Sequence, residues 1–255
     1  MAELGGYEIQ ATDGKLGQIE ELYFDEETWV VRYIVVNVGG WLVRQPVLLT
    51  PSSIKHMDRD ERTAVVGLTR EQVRYSPEID AHKPVSREAE ALLHQHYDWS
   101  PYWQTLPSLL ALDVSAYSVP IPAAPTEVAM PEEKQDIVAS VHSHLRSTQA
   151  ITGYSIQAVD GSIGHVETFL VDTLYWVIRY IIVDTGNWLR GKSVLIAPFW
   201  ISDIRWAESE LCLDLTQENI KTSPEYNPER FIFREYEADL HAHYGYPPYW
   251  HEDVQ

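Results

Sequence analysis

Residues 16–24 and 28–38 are dense in β-branched and aromatic side chains, the pattern of two β-strands. Asp25-Glu26-Glu27 between them reads as a tight three-residue hairpin loop. Ahead of them, Thr12-Asp13-Gly14 marks a turn, because glycine enters positive φ without strain. Shorter strand patterns follow over 47–50 and 63–68. The period then lengthens. Thr69 with Gln72 has the form of a capping box, and Ser86 is placed to cap a helix over 87–97. Several short strands joined by tight turns predict a small barrel followed by short helices.

The same pattern is written twice. Residues 7–103 align with 154–250 without a gap, at a constant offset of about 147. Ile9-Gln10-Ala11 matches Ile156-Gln157-Ala158, and Arg32-Tyr33-Ile34 matches Arg179-Tyr180-Ile181. Ser76-Pro77-Glu78 matches Ser223-Pro224-Glu225, and Pro101-Tyr102-Trp103 matches Pro248-Tyr249-Trp250. The second copy predicts strands over 194–197 and 211–215 and a helix over 228–244, ended by Gly245 and Pro247-Pro248. A unit of this length can hold its own core. The predicted organisation is a first unit over 1–103, a linker over 104–153 and a second unit over 154–255. Such copies can pack about a pseudo-two-fold axis within the chain, with homodimerisation as a further step.

The linker begins with Pro107, Pro120, Pro122 and Pro125 among small residues, which reads as extended chain. Its second half, over 131–148, reads as a helix with Val138, Val141 and Leu145 on one face, packing on a barrel or on a second chain.

Three blocks occur in order in the first copy: Asp13-Gly14-Lys15-Leu16-Gly17, Trp29-Val30-Val31-Arg32-Tyr33-Ile34, and Gly39-Gly40-Trp41-Leu42. In the second copy stand Asp160-Gly161-Ser162-Ile163-Gly164, Trp176-Val177-Ile178-Arg179-Tyr180 and Asp184-Thr185-Gly186-Asn187-Trp188-Leu189. These blocks resemble the PRC-barrel family, over roughly the first 70 residues of each unit. The resemblance implies a mainly β chain of two tandem PRC-type barrels, each followed by short helices. It also implies three settings: the cytoplasmic part of the photosynthetic reaction centre H subunit, the C-terminal domain of a ribosome maturation factor, and stand-alone bacterial proteins. The chain departs from the H subunit in lacking a membrane helix and from the maturation factor in lacking a preceding domain. The resemblance brings no catalytic motif with it.

Charge and composition narrow the partners. The formal net charge is −19, so the chain has no basic footprint for nucleic acid and repels anionic lipid. No apolar run is long enough for membrane insertion, which leaves peripheral association. The start of the chain has no secretory pattern, and one cysteine excludes an internal disulfide, so a cytoplasmic location is expected. Cys212 lies in an apolar alternation and reads as a small buried hydrophobe.

Candidate chemistry is sparse. Centring the first hairpin on Glu26 sets Glu20 opposite Arg32, and likewise Glu167 opposite Arg179, as structural ion pairs. His94 with His96, and His241 with His243, lie two apart and point to different helix faces. Glu90 shares a face with His94, and Glu237 with His241. Each pair reads as a packed helix end, with a divalent metal as the alternative if the barrel supplies another ligand. Trp41 and Trp188 in glycine-bearing loops, and the tails Tyr102-Trp103 and Tyr249-Trp250, are candidate partner contacts. No catalytic residues and no cofactor are expected. The expected function is a non-enzymatic cytoplasmic interaction or scaffold protein with an unknown protein partner. The alternatives are an accessory subunit of a photosynthetic or electron-transfer complex and a metal- or small-ligand-binding protein.

Overall fold

The computed structural model describes residues 1–38, 45–77, 85–103, 145–186, 192–230 and 232–251. The first unit contains β1 (Glu8–Ala11), β2 (Gly14–Asp25), β3 (Val31–Asn37), β4 (Pro46–Leu49), β5 (Ile54–Asp58) and β6 (Thr63–Val66). Two helices follow, α1 (Arg70–Arg74) and α2 (Arg87–Tyr97). The sheet order is β4-β3-β2-β1-β6-β5, antiparallel except where β1 runs parallel to β6. Edge strands β4 and β5 are consecutive in the chain and joined by the turn Pro51–Ser53, which keeps the two edges near one another. Among the described residues no ladder joins them, so the barrel-type sheet stays open there.

The second unit repeats this order. After β7 (Leu145–Ser147) and α3 (Thr148–Ile151) come β8 (Ser155–Ala158), β9 (Gly161–Asp172), β10 (Val177–Asp184), β11 (Ser193–Ile196), β12 (Ile201–Arg205) and β13 (Glu210–Leu213). They form a sheet of order β11-β10-β9-β8-β13-β12, followed by α4 (Gln217–Thr222) and α5 (Arg234–Tyr244). The fold is therefore mainly β, two tandem sheets of PRC type with a few helices. No described helix is long and apolar enough to cross a membrane.

The two units meet on a pseudo-two-fold axis. Val30 pairs antiparallel with its own counterpart, Val177. Val31 N–H donates to the Trp176 carbonyl at 2.7 Å, and Ile178 N–H donates to the Trp29 carbonyl at 2.9 Å. Each unit also lends the other the segment that precedes its first strand. Ala2 exchanges two backbone hydrogen bonds with Val171 of β9, at 2.9 and 3.0 Å. β7 lies antiparallel on β2, with Tyr23 opposite Ser147 and Phe24 opposite Arg146. Apolar side chains of both sheets then form one continuous buried cluster, in which Phe24 meets Phe169.

This exchange corrects the linker reading. Residues 145–147, expected to be helical, form a strand, because the end of β2 beyond its pairing with β1 offers Leu145 a buried place and the backbone a ladder. A new helix starts at Thr148, capped by the Ser147 side chain. Residues 131–144 lie outside the described residues.

The hairpin register is also corrected. The loop between β2 and β3 is longer than Asp25-Glu26-Glu27. Asp25 Oδ1 accepts hydrogen bonds from Glu27 N, Thr28 N and Thr28 Oγ1, and Trp29 closes the turn at φ 57°. The register moves with it, so that Tyr23 faces Tyr33 and Glu21 faces Val35. Glu20 therefore does not meet Arg32, nor Glu167 Arg179. Arg32 pairs with Asp25 at 3.6 Å, and Arg179 with Asp172 at 3.5 Å. Glu20 accepts a hydrogen bond from Asn37 instead, and Glu167 from Ser193. The second unit's predicted helix over 228–244 starts only at Arg234, because Asn227 and Arg230 close a separate turn first.

Gly17 and Gly164 let the long strands pass under their neighbours. A Cβ on Gly164 would lie 2.1 Å from the Asp184 carbonyl oxygen, at φ +80°, and one on Gly17 would lie 1.9 Å from the Asn37 carbonyl oxygen. Gly186 has φ +62°, but among the described residues no atom lies within 4 Å of its Cβ position. Gly164→Ala is expected to cost about 3 kcal/mol or more, and Gly186→Ala only about 1 kcal/mol. Equal costs in urea unfolding would contradict the close strand crossing.

Candidate functional site

The most concentrated polar chemistry lies between each sheet and the helix that follows it. On β3, Tyr33 is fully buried, and it points toward α2 because alternate residues of that strand face the helix rather than the sheet interior. Leu93 anchors the same helix in a small apolar cluster with Tyr23, Val35, Leu48 and Val85. The i,i+4 spacing of Glu90 and His94 then sets both on one helix face. Tyr33 Oη lies 2.9 Å from Glu90 Oε2 and 2.9 Å from His94 Nε2. Glu90 is 1% exposed and His94 4% exposed.

A second layer closes over this centre. Tyr102 donates to Glu90 Oε2 at 2.8 Å, and Arg87 pairs with Glu90 at 3.3 Å. Arg32 stacks over the Tyr102 ring, and Arg87 over Trp103. Trp103 in turn meets the His94 ring edge-on. The second unit builds the same arrangement. Tyr180 Oη lies 3.1 Å from Glu237 Oε1 and 3.0 Å from His241 Nε2. Tyr249 donates to Glu237 at 3.0 Å, Arg234 pairs with Glu237, and Arg179 and Arg234 stack on Tyr249 and Trp250.

The outer histidines have a different task. His96 contacts the Gln72 carbonyl at 2.9 Å and His243 the Asn219 carbonyl at 2.7 Å, tying each long helix to the short one before it. The expected division of the two histidines between helix faces is what the structure shows.

Proton counting limits the inner trio. His94 Nδ1 faces the Trp99 carbonyl at 3.3 Å, and His241 Nδ1 faces the Pro247 carbonyl at 3.0 Å, so Nδ1 carries the proton. One hydroxyl proton on Tyr33 serves Glu90 or His94, not both. Two arrangements satisfy every contact. A cationic His94 donates to Tyr33, which donates to an ionised Glu90. Alternatively a protonated Glu90 donates to Tyr33, which donates to a neutral His94. They differ by a two-proton shift along the chain and not in net charge. Burial raises the Glu90 carboxyl, against the opposing pull of Tyr102 and Arg87, and burial lowers the His94 and His241 imidazoles. Both directions favour the neutral arrangement in the first unit.

These contacts place the expected site residues. Tyr102, Trp103, Tyr249 and Trp250 fold back onto their own units, so their rings serve the network rather than standing free for a partner. Trp41 and Trp188 lie outside the described residues. Glu90 with His94, and Glu237 with His241, do come together, but the barrel contributes a tyrosine rather than a carboxylate or imidazole. Among the described residues no three His, Cys, Asp or Glu side chains gather to hold a metal ion. Cys212 is half-buried rather than buried, because it sits on the opposite strand face from Leu211 and Leu213. Tyr33 and Tyr180 were not legible as site residues, although each stands 57 residues before its glutamate.

Residues 1–73 match the PRC-barrel domain family. The match spans β1 to β6 and most of α1, so Tyr33 lies in the PRC-barrel domain and the Glu90–His94 helix lies beyond it. The second sheet repeats the PRC-type strand order. No curated protein matches the chain.

The pKa directions give a test. Glu90, raised on folding, contributes stability that is full below the ordinary carboxylate range and is lost as pH climbs through its folded value. His94 and His241, lowered, contribute stability present above the ordinary imidazole value and lost as pH falls. Glu90→Gln removes only the first contribution. The unfolding midpoint of the variant minus that of the natural chain should therefore rise from about pH 5 to about pH 8. A difference that stays flat or falls over that range would contradict the raised carboxyl.

Proposed function

We propose that this chain is a protein-interaction or scaffold module without catalytic activity, built from two PRC-type units and working in the cytoplasm. What carries the reading is the unequal chemistry of two otherwise equivalent hairpin tips. In the second unit the tip presents Leu174 and Tyr175, 78% and 65% exposed. The first unit carries Glu27 and Thr28 at those positions, beside Glu26, which is held by Arg146 at 2.6 Å. The second tip is no loose loop, since Asp172 Oδ1 accepts hydrogen bonds from Leu174 N and Tyr175 N. A rigid turn that spends two large apolar side chains on solvent suits a partner's apolar pocket.

The buried networks support the non-catalytic part. Their tyrosines, glutamates and histidines satisfy one another within the packing, as structural polar networks do. The net charge of −19 suits a partner with a basic rim around that pocket and disfavours nucleic acid.

Affinity capture from the source cells, with the natural chain beside Leu174→Asp/Tyr175→Ser, tests this reading. The natural chain should retain a protein that the variant holds about tenfold less well or worse, with the unfolding midpoint unchanged. Retention of the same proteins by both chains, or of none by either, would contradict it.

A further inference from the structure

Three arginines meet at one cavity where the two units adjoin. Arg59 and Arg62 stand on the turn between β5 and β6 of the first unit. Arg230 stands on the turn begun by Asn227, ahead of α5 in the second. With Glu3, Tyr7 and Tyr226 they line a cavity of about 270 Å³. All three arginines are exposed, so a ligand reaches them without displacing protein.

Such a gathering stands out in a chain with 38 Asp and Glu against 19 Lys and Arg. The acids nearby leave it uncompensated. Glu3 is the single acid among the described lining residues, and it accepts a hydrogen bond from the Tyr226 hydroxyl at 3.0 Å. It forms no ion pair with the three arginines. Asp58 Oδ1 accepts from Asp60 N and Glu61 N within its own turn, and neither Asp60 nor Glu61 lines the cavity. Arg62 and Arg230 have no carboxylate partner among the described residues. Arg62 is nevertheless fixed in place. Its Nη2 donates to the Gly5 carbonyl at 2.6 Å, and its guanidinium lies over the Tyr7 ring at 5.0 Å. Its other N–H groups find no acceptor among the described residues.

Across the pseudo-two-fold axis the equivalent place is built differently. Trp206 and Ser209 stand where the first unit has Arg59 and Arg62. Trp206 packs on Tyr154, the equivalent of Tyr7, and carries the Arg146 guanidinium at 4.3 Å. That charge is already paired with Glu26. The position equivalent to Arg230 lies outside the described residues.

We infer that this cavity binds the dianionic phosphate group of a small phosphate monoester. Guanidinium forks match phosphate oxygens in geometry, and two negative charges balance the local excess of positive charge better than one. A groove of about 500 Å³ continues from the cavity across Tyr226, Arg230 and Ile232, which line both. Phe233 and Tyr236 give it apolar walls for the organic body of the ester. Glu225 and Glu229 flank that groove and select an uncharged body. The net charge of −19 repels longer polyanions, so the site takes a single phosphate group.

Calorimetric titration of the full chain with phenyl phosphate tests the assignment. It is run at low ionic strength and about pH 8, where the phosphate is doubly charged. The natural chain should bind one equivalent. Benzoate, with one charge, should bind about tenfold more weakly or worse, and inorganic phosphate, without the ring, about threefold or more. Arg62→Gln and Arg230→Gln should each weaken phenyl phosphate about tenfold. Arg74→Gln, on α1 and outside the cavity lining, should stay within about twofold, which separates a site from the general field of the protein. Unfolding midpoints without ligand report that the variants fold. Absence of saturable phenyl phosphate binding, full affinity in folded Arg62→Gln or Arg230→Gln, an equal loss in Arg74→Gln, or equally tight benzoate or inorganic phosphate would overturn the proposal.

Discussion

The antiparallel bridge between Val30 and Val177 is the constraint on which the rest of the molecule depends. It joins two residues that are equivalents of one another, so the pseudo-two-fold axis of the chain passes through it. A hairpin tip cannot cross that axis unless its loop is long enough to reach. The five-residue turn closed by Asp25, rather than a three-residue one, provides the reach and leaves Val30 in extended backbone. The same turn shifts the strand register, and that shift moves Arg32 off Glu20 and onto Asp25. Once the hairpins cross, the segments before each first strand fall alongside the other unit's long strand. Each then satisfies backbone groups that would otherwise stand unpaired on a strand edge.

The buried tyrosine–glutamate–histidine networks depend on this arrangement at one remove. They hang between the outer face of β3 or β10 and a single helix, and polar groups at that depth are tolerable only when every proton is placed. The aromatic tails complete the enclosure by stacking on arginines, of which Arg87 and Arg234 also hydrogen-bond the glutamates. One polar solution is thus used twice. What distinguishes the copies lies at their edges: acidic against apolar hairpin tips, and serines against a phenylalanine and a tryptophan in the edge-joining turn. Duplication kept the strand order and the polar networks and let the hairpin tips and the edge-joining turn diverge, the turn even at the buried pair Ser53 and Trp200.

Much of this was legible in the sequence, for physical reasons. The β-branched and aromatic density of β2 and β3, the capping box at Thr69, and the constant spacing between copies are local signals, and local signals survive in a linear reading. Glu90 and His94 were legible as a face-sharing pair, because helical spacing alone brings them together. Tyr33 was not, since nothing in a strand tells which of its two buried faces will meet a helix that follows some sixty residues later. Glu20 with Arg32 failed for a related reason. A pairing across a hairpin is only as sound as the loop length assumed, and Asp25 recruits Thr28 and Trp29 into the turn. Leu145-Arg146-Ser147 carries no strong strand pattern of its own. Its conformation comes from the end of β2, a partner more than a hundred residues away.

Exchange of segments across one seam makes the two sheets a single cooperative body, with apolar residues of both in one core. Differential scanning calorimetry of the full chain tests this most directly. A shared core requires one endothermic transition, with the calorimetric enthalpy equal to the van't Hoff enthalpy for the whole chain. Two separable transitions, each carrying about half of the heat, would mean that the barrels fold independently and that the Val30–Val177 seam is merely a contact.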